Sequence, residues 1–409
     1  MSLRSGHLGD VIFFLALRGL RQYSFSTVVA AVAIALAGGL FLGTWKIKEE
    51  SSRAFSRSAG GFDAVLGARG SKLQLILNGL FHLEASPGNL SWEQYELIRD
   101  TRGVKEAYPI AVGDNYHGYR LVGTLAEMFE KHEWRKGRKY EIHAGGRVFT
   151  DNAKEALVGA FVARKLGLKV GDTFHPYHGL VFKEDAKHAD IFVVTGILKS
   201  TGTPADKVIW IPIKGIQLME GHDPKAATDV SAVLLNLHAR AGFLLDQKYN
   251  KQGNVATLAW PVATTLARFF DRLVWFQRVL EVIAYLVAVV AAFVILAILR
   301  NAMNERRREI AILRSLGAPR STVTSVALLQ AVLITLLGVL GAFVAYAGIG
   351  YAAATVIREQ TGVVLEPFTY DPSFLYVPLG MLAVGLLSGL LPALQAYRVD
   401  VAENLVQQS

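Results

Sequence analysis

The 409-residue sequence has no cysteine. A disulfide framework, a thiolate zinc site and a cysteine nucleophile are therefore excluded, and either redox compartment stays open. Charge is scarce as well. Only 19% of the residues are charged, against about 25% in ordinary soluble domains, while 52% are hydrophobic. That imbalance points to a membrane. The twelve prolines and the lack of repetitive tracts argue against disorder. The net charge of +9 is diffuse: residues 46–273 hold 31 Lys/Arg and 25 Asp/Glu, and the remainder hold 12 and 9. With no continuous basic face, no nucleic-acid partner is expected.

Four windows lack any Asp, Glu, Lys or Arg: Gln22–Trp45, Val282–Leu299, Ser321–Ile357 and Pro372–Tyr397. Crossing a bilayer takes about 20 apolar residues. The second window borrows its upstream turn, LVWFQRVL, and the third is too long for one span. The first exceeds the usual apolar run of a signal peptide and follows Arg18 and Arg21, which favours an uncleaved anchor. The sequence thus divides into a cytoplasmic amphipathic segment (1–21), spans at 22–45, 274–300, 321–357 and 372–397, a cytoplasmic loop (301–320), a short outer loop (358–371) and a tail (398–409). Arginines 300, 306, 307, 308, 314 and 320 crowd one loop, whereas residues 358–371 carry one Arg against Glu359, Glu366 and Asp371. The positive-inside rule then places both termini in the cytoplasm and residues 46–273 outside. Charge-free spans give no ion or proton path.

The outer segment is large enough for its own core. It opens with a polar stalk (46–58), the strand FDAVLGARG and the apolar stretch KLQLILNGLFHL. A helix SWEQYELIRDTRG follows, capped by Ser91 and closed by Gly103. The runs EALVGAFV, DIFVVTGIL, DKVIWIPI and DVSAVLLNL read as strands of a mixed α/β domain. A helix from Trp260 to Glu281 would return to the membrane and pair with the stalk. Leu73, Leu75, Ile76, Leu77, Leu80, Phe81 and Leu83 read as core, the alternative being an exposed flap that binds lipid or substrate.

Nine of the ten histidines lie in this segment. His175 and His178 are three apart, with His188, Asp185 and Asp190 nearby, a set that could hold zinc or copper. The surrounding sequence reads as loop, where histidines are solvated, so no bound metal is expected. The pairs Gly39/Gly43 and Gly385/Gly389 each form G-x-x-x-G, which lets helices approach closely, within one chain or between two.

Residues 304–323, NERRREIAILRSLGAPRSTV, follow the second span directly. As a helix they would align Ile310, Leu313 and Leu316. A basic interfacial helix and a docking helix for a cytosolic partner both fit these residues. The run Glu305, Arg306, Arg307, Glu309, Ile310, Ala311, Ile312, Leu313, Arg314, Ser315, Leu316, Gly317 and Ala318 resembles a motif of the MacB and FtsX type of ABC permease. HAGGRVFTDNAKEALVGAFVARKLGLKVGDTF and the C-terminal PALQAYRVDVAENL are similar to further stretches of that family, with Val401 where the family usually has proline.

The resemblance implies an integral membrane α-helical protein with four transmembrane helices and an extracytoplasmic mixed α/β domain, in a bacterial inner membrane. It further implies a non-catalytic permease that pairs with a second copy and docks a cytosolic ABC ATPase through Glu305, Arg306, Arg307, Glu309, Ile310, Leu313, Arg314, Leu316 and Gly317. ATP and Mg would bind the ATPase, since no G-x-x-x-x-G-K-[ST] occurs in this sequence. Hydrolysis would move the outer domain (mechanotransmission) and drive export or extraction of a substrate, with a periplasmic adaptor or lipoprotein as a further partner. The alternative is FtsX-like signalling to an external cell-wall hydrolase without transport.

Overall fold

A computed structural model of the protein describes residues 5–222, 228–238, 240–305, 312, 315 and 319–397. In chain order the helices are α1 (Ser5–Gln22), α2 (Ser24–Arg57), α3 (Lys72–Gly79), α4 (Trp92–Arg99), α5 (Glu127–Lys131), α6 (Ala160–Leu166), α7 (Ile213–Gln217), α8 (Ala241–Asp246), α9 (Val262–Arg272), α10 (Val274–Glu305), α11 (Arg320–Thr361) and α12 (Ser373–Tyr397). The strands are β1 (Ala64–Ala68), β2 (Leu90–Ser91), β3 (Val104–Tyr116), β4 (Tyr119–Thr124), β5 (Glu133–Arg135), β6 (Arg138–Lys139), β7 (Glu155–Val158), β8 (Thr173–Phe174), β9 (Tyr177–His178), β10 (Phe192–Ile197), β11 (Ile209–Pro212), β12 (Asp229–Val230), β13 (Ala232–Leu237) and β14 (Ala256–Ala259). The chain divides into a helical unit (Met1–Glu49, Val274–Ala353, Glu366–Ser409) and an α/β unit (Glu50–Leu273, Ala354–Leu365).

Four stretches of helix among the described residues are long and apolar enough to cross a membrane: α2, α9 with α10, α11, and α12. At about 1.5 Å per residue, the 34 residues of α2 and 42 of α11 would run about 51 and 63 Å. The hydrocarbon core is about 30 Å thick, so each has several turns to spare. Within the helical unit, Ala30, Ile34, Ile295, Leu299, Ala331 and Ile334 form a packed cluster. Phe293 and Leu387 are both 66% exposed, a placement suited to lipid rather than water.

The α/β unit is built on a mixed sheet in the order β14-β1-β13-β3-β4-β11-β7-β10-β8, with β9 also on β3. The β4/β11 and β7/β10 pairs are parallel, and the other pairs along that order are antiparallel. Its 13-residue strand β3 pairs with β13 early and with β4 and β9 late. The register of β3 shifts between Val112 and Asn115, a bulge that re-aims the side chains within it.

The greasy stretch is core: α3 buries Leu75 and Ile76 fully, and Leu80 and Phe81 pack beside them. Ser91 caps α4 through a reciprocal capping box with Gln94. That helix stops at Arg99, capped by Asp100, ahead of the expected Gly103, which instead turns the chain into β3 at φ +98°. EALVGAFV is a strand only to Val158. Gly159 then opens α6, which ends at Gly167 in the left-handed conformation. The return helix is interrupted at Leu273, whose N–H bonds to Phe270 O instead of continuing the α-helical ladder.

Candidate functional site

Of the expected coupling residues, the structure places Glu305, the last residue of α10. Its carboxylate accepts from Tyr23 Oη and from Asn301 Nδ2. Arg306, Arg307, Glu309, Ile310, Leu313, Arg314, Leu316 and Gly317 lie outside the described residues.

The glycine pairs sit at close helix crossings. A Cβ on Gly39 would come 2.6 Å from Ala345 Cβ, and one on Gly43 would come 3.2 Å from Ile349 Cγ2, both on α11. A Cβ on Gly389 would come 2.5 Å from Ala331 Cβ of α11, and Gly385 faces Thr335. α2, α10 and α12 also enclose an apolar cleft of about 400 Å³ beside Phe41, Tyr285 and Met381. At the end of the first charge-free window, Lys46 is fully buried, with Nζ 3.6 Å from Asp371 Oδ2. Asp371 in turn accepts from Ser373 N–H at the start of α12.

Residues 354–365, which take in the last turns of α11 and the first half of the segment read from sequence as an outer loop (358–371), belong to the α/β unit. Gly362, at φ +78°, ends α11 with its N–H on Arg358 O. Val363 (0% exposed) and Leu365 (6%) then enter the main core cluster, with Ala354 and Ile357 against it. Val364 N–H bonds to Gly202 O, Lys165 pairs with Glu359, and Lys207 Nζ donates to Gln360 O. Gly202 belongs to a loop held by Asp206, whose carboxylate accepts from Thr201 N–H, Gly202 N–H and Ser200 Oγ. Three apolar residues after a glycine, Val363, Val364 and Leu365, were the only sequence signal for this anchor.

The histidines separate in an unexpected way. His178 and His188 come together, joined by Asp114 and His222, with one ligand atom from each within 4.8 Å of all the others. His175 stays outside, its Nδ1 3.2 Å from the backbone oxygen of His188. Asp114 stands in the β3 bulge, fully buried and directly opposite His178 on β9. A hairpin closed by His178 N–H to Ala186 O and His188 N–H to Pro176 O brings His188 alongside. The turn after α7 delivers His222, and Asp190 fixes that turn by accepting from Glu220 N–H and pairing with Lys154. His188 is 7% exposed, so it is not a solvated loop histidine. A hydrogen bond to Asp114 raises the pKa of His222 despite its partial burial. Asp114 and His222 are 108 positions apart, and nothing in the sequence joins them.

His82 is also buried, at φ +54°. Burial, with Arg120 nearby, lowers its pKa to about 3. Arg120 itself donates to the Leu83 and Glu84 carbonyls.

Comparison with known proteins matches two successive parts of the chain. Residues 27–242 match the MacB-like periplasmic core domain, and residues 281–401 match the FtsX-like permease C-terminal family. The macrolide export ATP-binding/permease protein MacB of Bordetella avium (strain 197N) is 25% identical over 254 residues, 62% of this chain. The match spans 34% of that relative's length, about a third. The crystal structure of the periplasmic region of MacB from Actinobacillus actinomycetemcomitans aligns with 53% of this chain and 95% of its own, at 10% identity and a TM-score of 0.35. With a core-domain match over more than half its length and a permease match over its C-terminal helices, the chain belongs to the MacB/FtsX type of ABC-transporter permease.

Proposed function

We propose that this chain is the membrane subunit of an ABC system in which a separate cytosolic ATPase, carrying ATP and Mg, drives motion of the α/β unit and thereby exports or extracts a substrate. The α/β unit lies outside an inner membrane, both termini are cytoplasmic, and two copies assemble on the ATPase. Residues 305–317 dock it, with Ile310 and Leu313 as apolar anchors and Glu305, Arg306 and Glu309 as polar contacts. A periplasmic adaptor or lipoprotein receives the movement or the substrate.

The observation that carries this reading is the course of α11. It is unbroken over 42 residues, and its last turns end among core residues of the α/β unit. A rigid helix transmits displacement along its axis, because its hydrogen-bond ladder resists stretching. α2 is likewise continuous through the division between the units.

The test is to isolate the chain with its ATPase from native membranes and measure hydrolysis in nanodiscs. The chain alone should show no turnover above a mock preparation. An Ile310→Ala, Leu313→Ala variant should still insert but lose the ATPase or its stimulation, because truncated interface anchors cost about 2 kcal/mol or more each. Intact binding and coupling in that variant would sink the role given to residues 305–317.

A further inference from the structure

Asp114, His178, His188 and His222 pose a problem of hydrogen-bond chemistry. His188 Nδ1 lies 2.8 Å from Glu220 O, and His222 Nδ1 lies 2.8 Å from Ile216 O. A carbonyl oxygen only accepts, so both Nδ1 atoms carry the proton. In the neutral rings each Nε2 then presents a lone pair. Both lone pairs point at the same atom, Asp114 Oδ1, at 3.1 and 3.2 Å. His178 Nδ1 lies 3.5 Å from that oxygen and 3.3 Å from His222 Nε2. Asp114 Oδ2 is buried with no hydrogen-bond partner. Four electron-rich atoms therefore converge around one point that is sheltered on all but the His178 side.

We propose that these four side chains form a tetrahedral site for a divalent transition-metal ion of the zinc type, tying β3 to the 176–188 hairpin and to the turn after α7. Zinc bound by imidazole nitrogen and carboxylate oxygen sits about 2.0–2.1 Å from each ligand, so a regular tetrahedron has edges of about 3.3–3.4 Å. Four of the six edges, 3.1, 3.2, 3.3 and 3.5 Å, lie close to that length, and the two that join His188 to His178 and His222 are within 4.8 Å. Backbone carbonyls on the far nitrogens of His188 and His222 supply the outer support that metal-binding imidazoles use to fix tautomer and ring orientation. His175 belongs to that outer support through the His188 carbonyl.

Three imidazoles and one carboxylate select zinc, nickel or copper over magnesium and calcium, which take oxygen ligands. The side chains of Asp114, His188 and His222 are 0%, 6% and 13% exposed, whereas His178 is 62% exposed. The ion thus has an entry route on the His178 side and a closed floor. With four protein ligands the site is structural, since a catalytic zinc keeps a position open for water.

The experiment uses the full-length chain, purified in detergent through a tag without histidines and stripped with a chelator. Zinc is titrated against a chromophoric competitor, bound zinc is counted by mass spectrometry, and cobalt is used to read coordination geometry. About one zinc per chain should be retained, cobalt should give the intense visible absorption of a tetrahedral site, and zinc should raise the melting midpoint. His178→Gln, at an exposed position that leaves the buried ligands in place, should weaken zinc about tenfold or more with an unchanged circular dichroism spectrum. His188→Gln should abolish the cobalt band, and His143→Gln, outside the cluster, should behave as wild type. A wild-type chain that retains no zinc would overturn the proposal and identify the group as a charge cluster around Asp114. So would wild-type affinity in His178→Gln, or the weak absorption of octahedral cobalt.

Discussion

The anchor formed by residues 354–365 can be loosened without touching either ligand-bearing loops or the charge-free windows. Val363→Ala removes two methyl groups from a fully buried side chain, worth about 1.6 kcal/mol at about 0.8 kcal/mol each. Leu365→Ala, at 6% exposure, costs about 2–5 kcal/mol including the cavity left behind. The two side chains share one cluster, so their effects are not strictly additive; about 4 kcal/mol is a fair working sum. The exposed Lys165/Glu359 pair adds little to offset that loss. A loss of about 4 kcal/mol raises the open population of the segment by roughly three orders of magnitude. Hydrogen exchange read by mass spectrometry on the full chain in nanodiscs should therefore show peptides over 354–365 accelerating strongly while β3 and β13 stay protected, and ATPase stimulation should fall. Unchanged exchange in 354–365, or equal acceleration in β3 and β13, would refute the reasoning.

His82 gives a pH signature. Its folded pKa near 3 lies below the ordinary 6.5, so below pH 6.5 the unfolded chain binds a proton that the folded chain refuses. The stability contribution is full above pH 6.5 and falls by about 1.4 kcal/mol per unit down to about pH 3. His82→Asn tolerates the left-handed backbone and should flatten the melting midpoint between pH 6.5 and 4.5, whereas an identical slope in both proteins would exclude the assignment. In the helical unit, Gly389→Ala and Gly380→Ala gain the same helix propensity, yet only the new methyl at 389 would meet a close neighbour, Ala331 Cβ at 2.5 Å. Gly389→Ala should melt lower in detergent by an amount equivalent to about 1–3 kcal/mol, and equal midpoints would contradict the α11/α12 packing.

The apolar helices were legible because a bilayer imposes a coarse rule: about 20 residues without charge announce themselves whatever they pack against. The cap at Ser91 and the buried Leu75 and Ile76 were readable for a similar reason, since a cap and an apolar stripe are local. The order of the strands was not, because β3 meets β13 more than 100 residues away through backbone hydrogen bonds that carry no side-chain code. Asp114 and His222 escaped notice for the same cause. His175-x-x-His178 drew attention through spacing, but only His178 lies on β9, opposite Asp114, and the hairpin offers His188 in place of His175. EALVGAFV looked like one strand because Ala, Phe and Val suit both structures, and only Gly159 and Gly167 mark where the helix begins and ends.

The α/β unit is closed by a piece of chain made long after the rest. The ribosome has delivered residues 50–273 before it begins on 274–353, and the side chains of Val363 and Leu365 come only after those. At roughly 5–20 residues per second, the main hydrophobic core waits on the order of 5 to 20 s for its last two members. During that interval apolar surface meant for them is bare, and a protease or a folding helper meets a different molecule from the finished one. Completion of the domain thereby reports that the two intervening helices have been synthesised, and a chain cut short after residue 353 never passes that check.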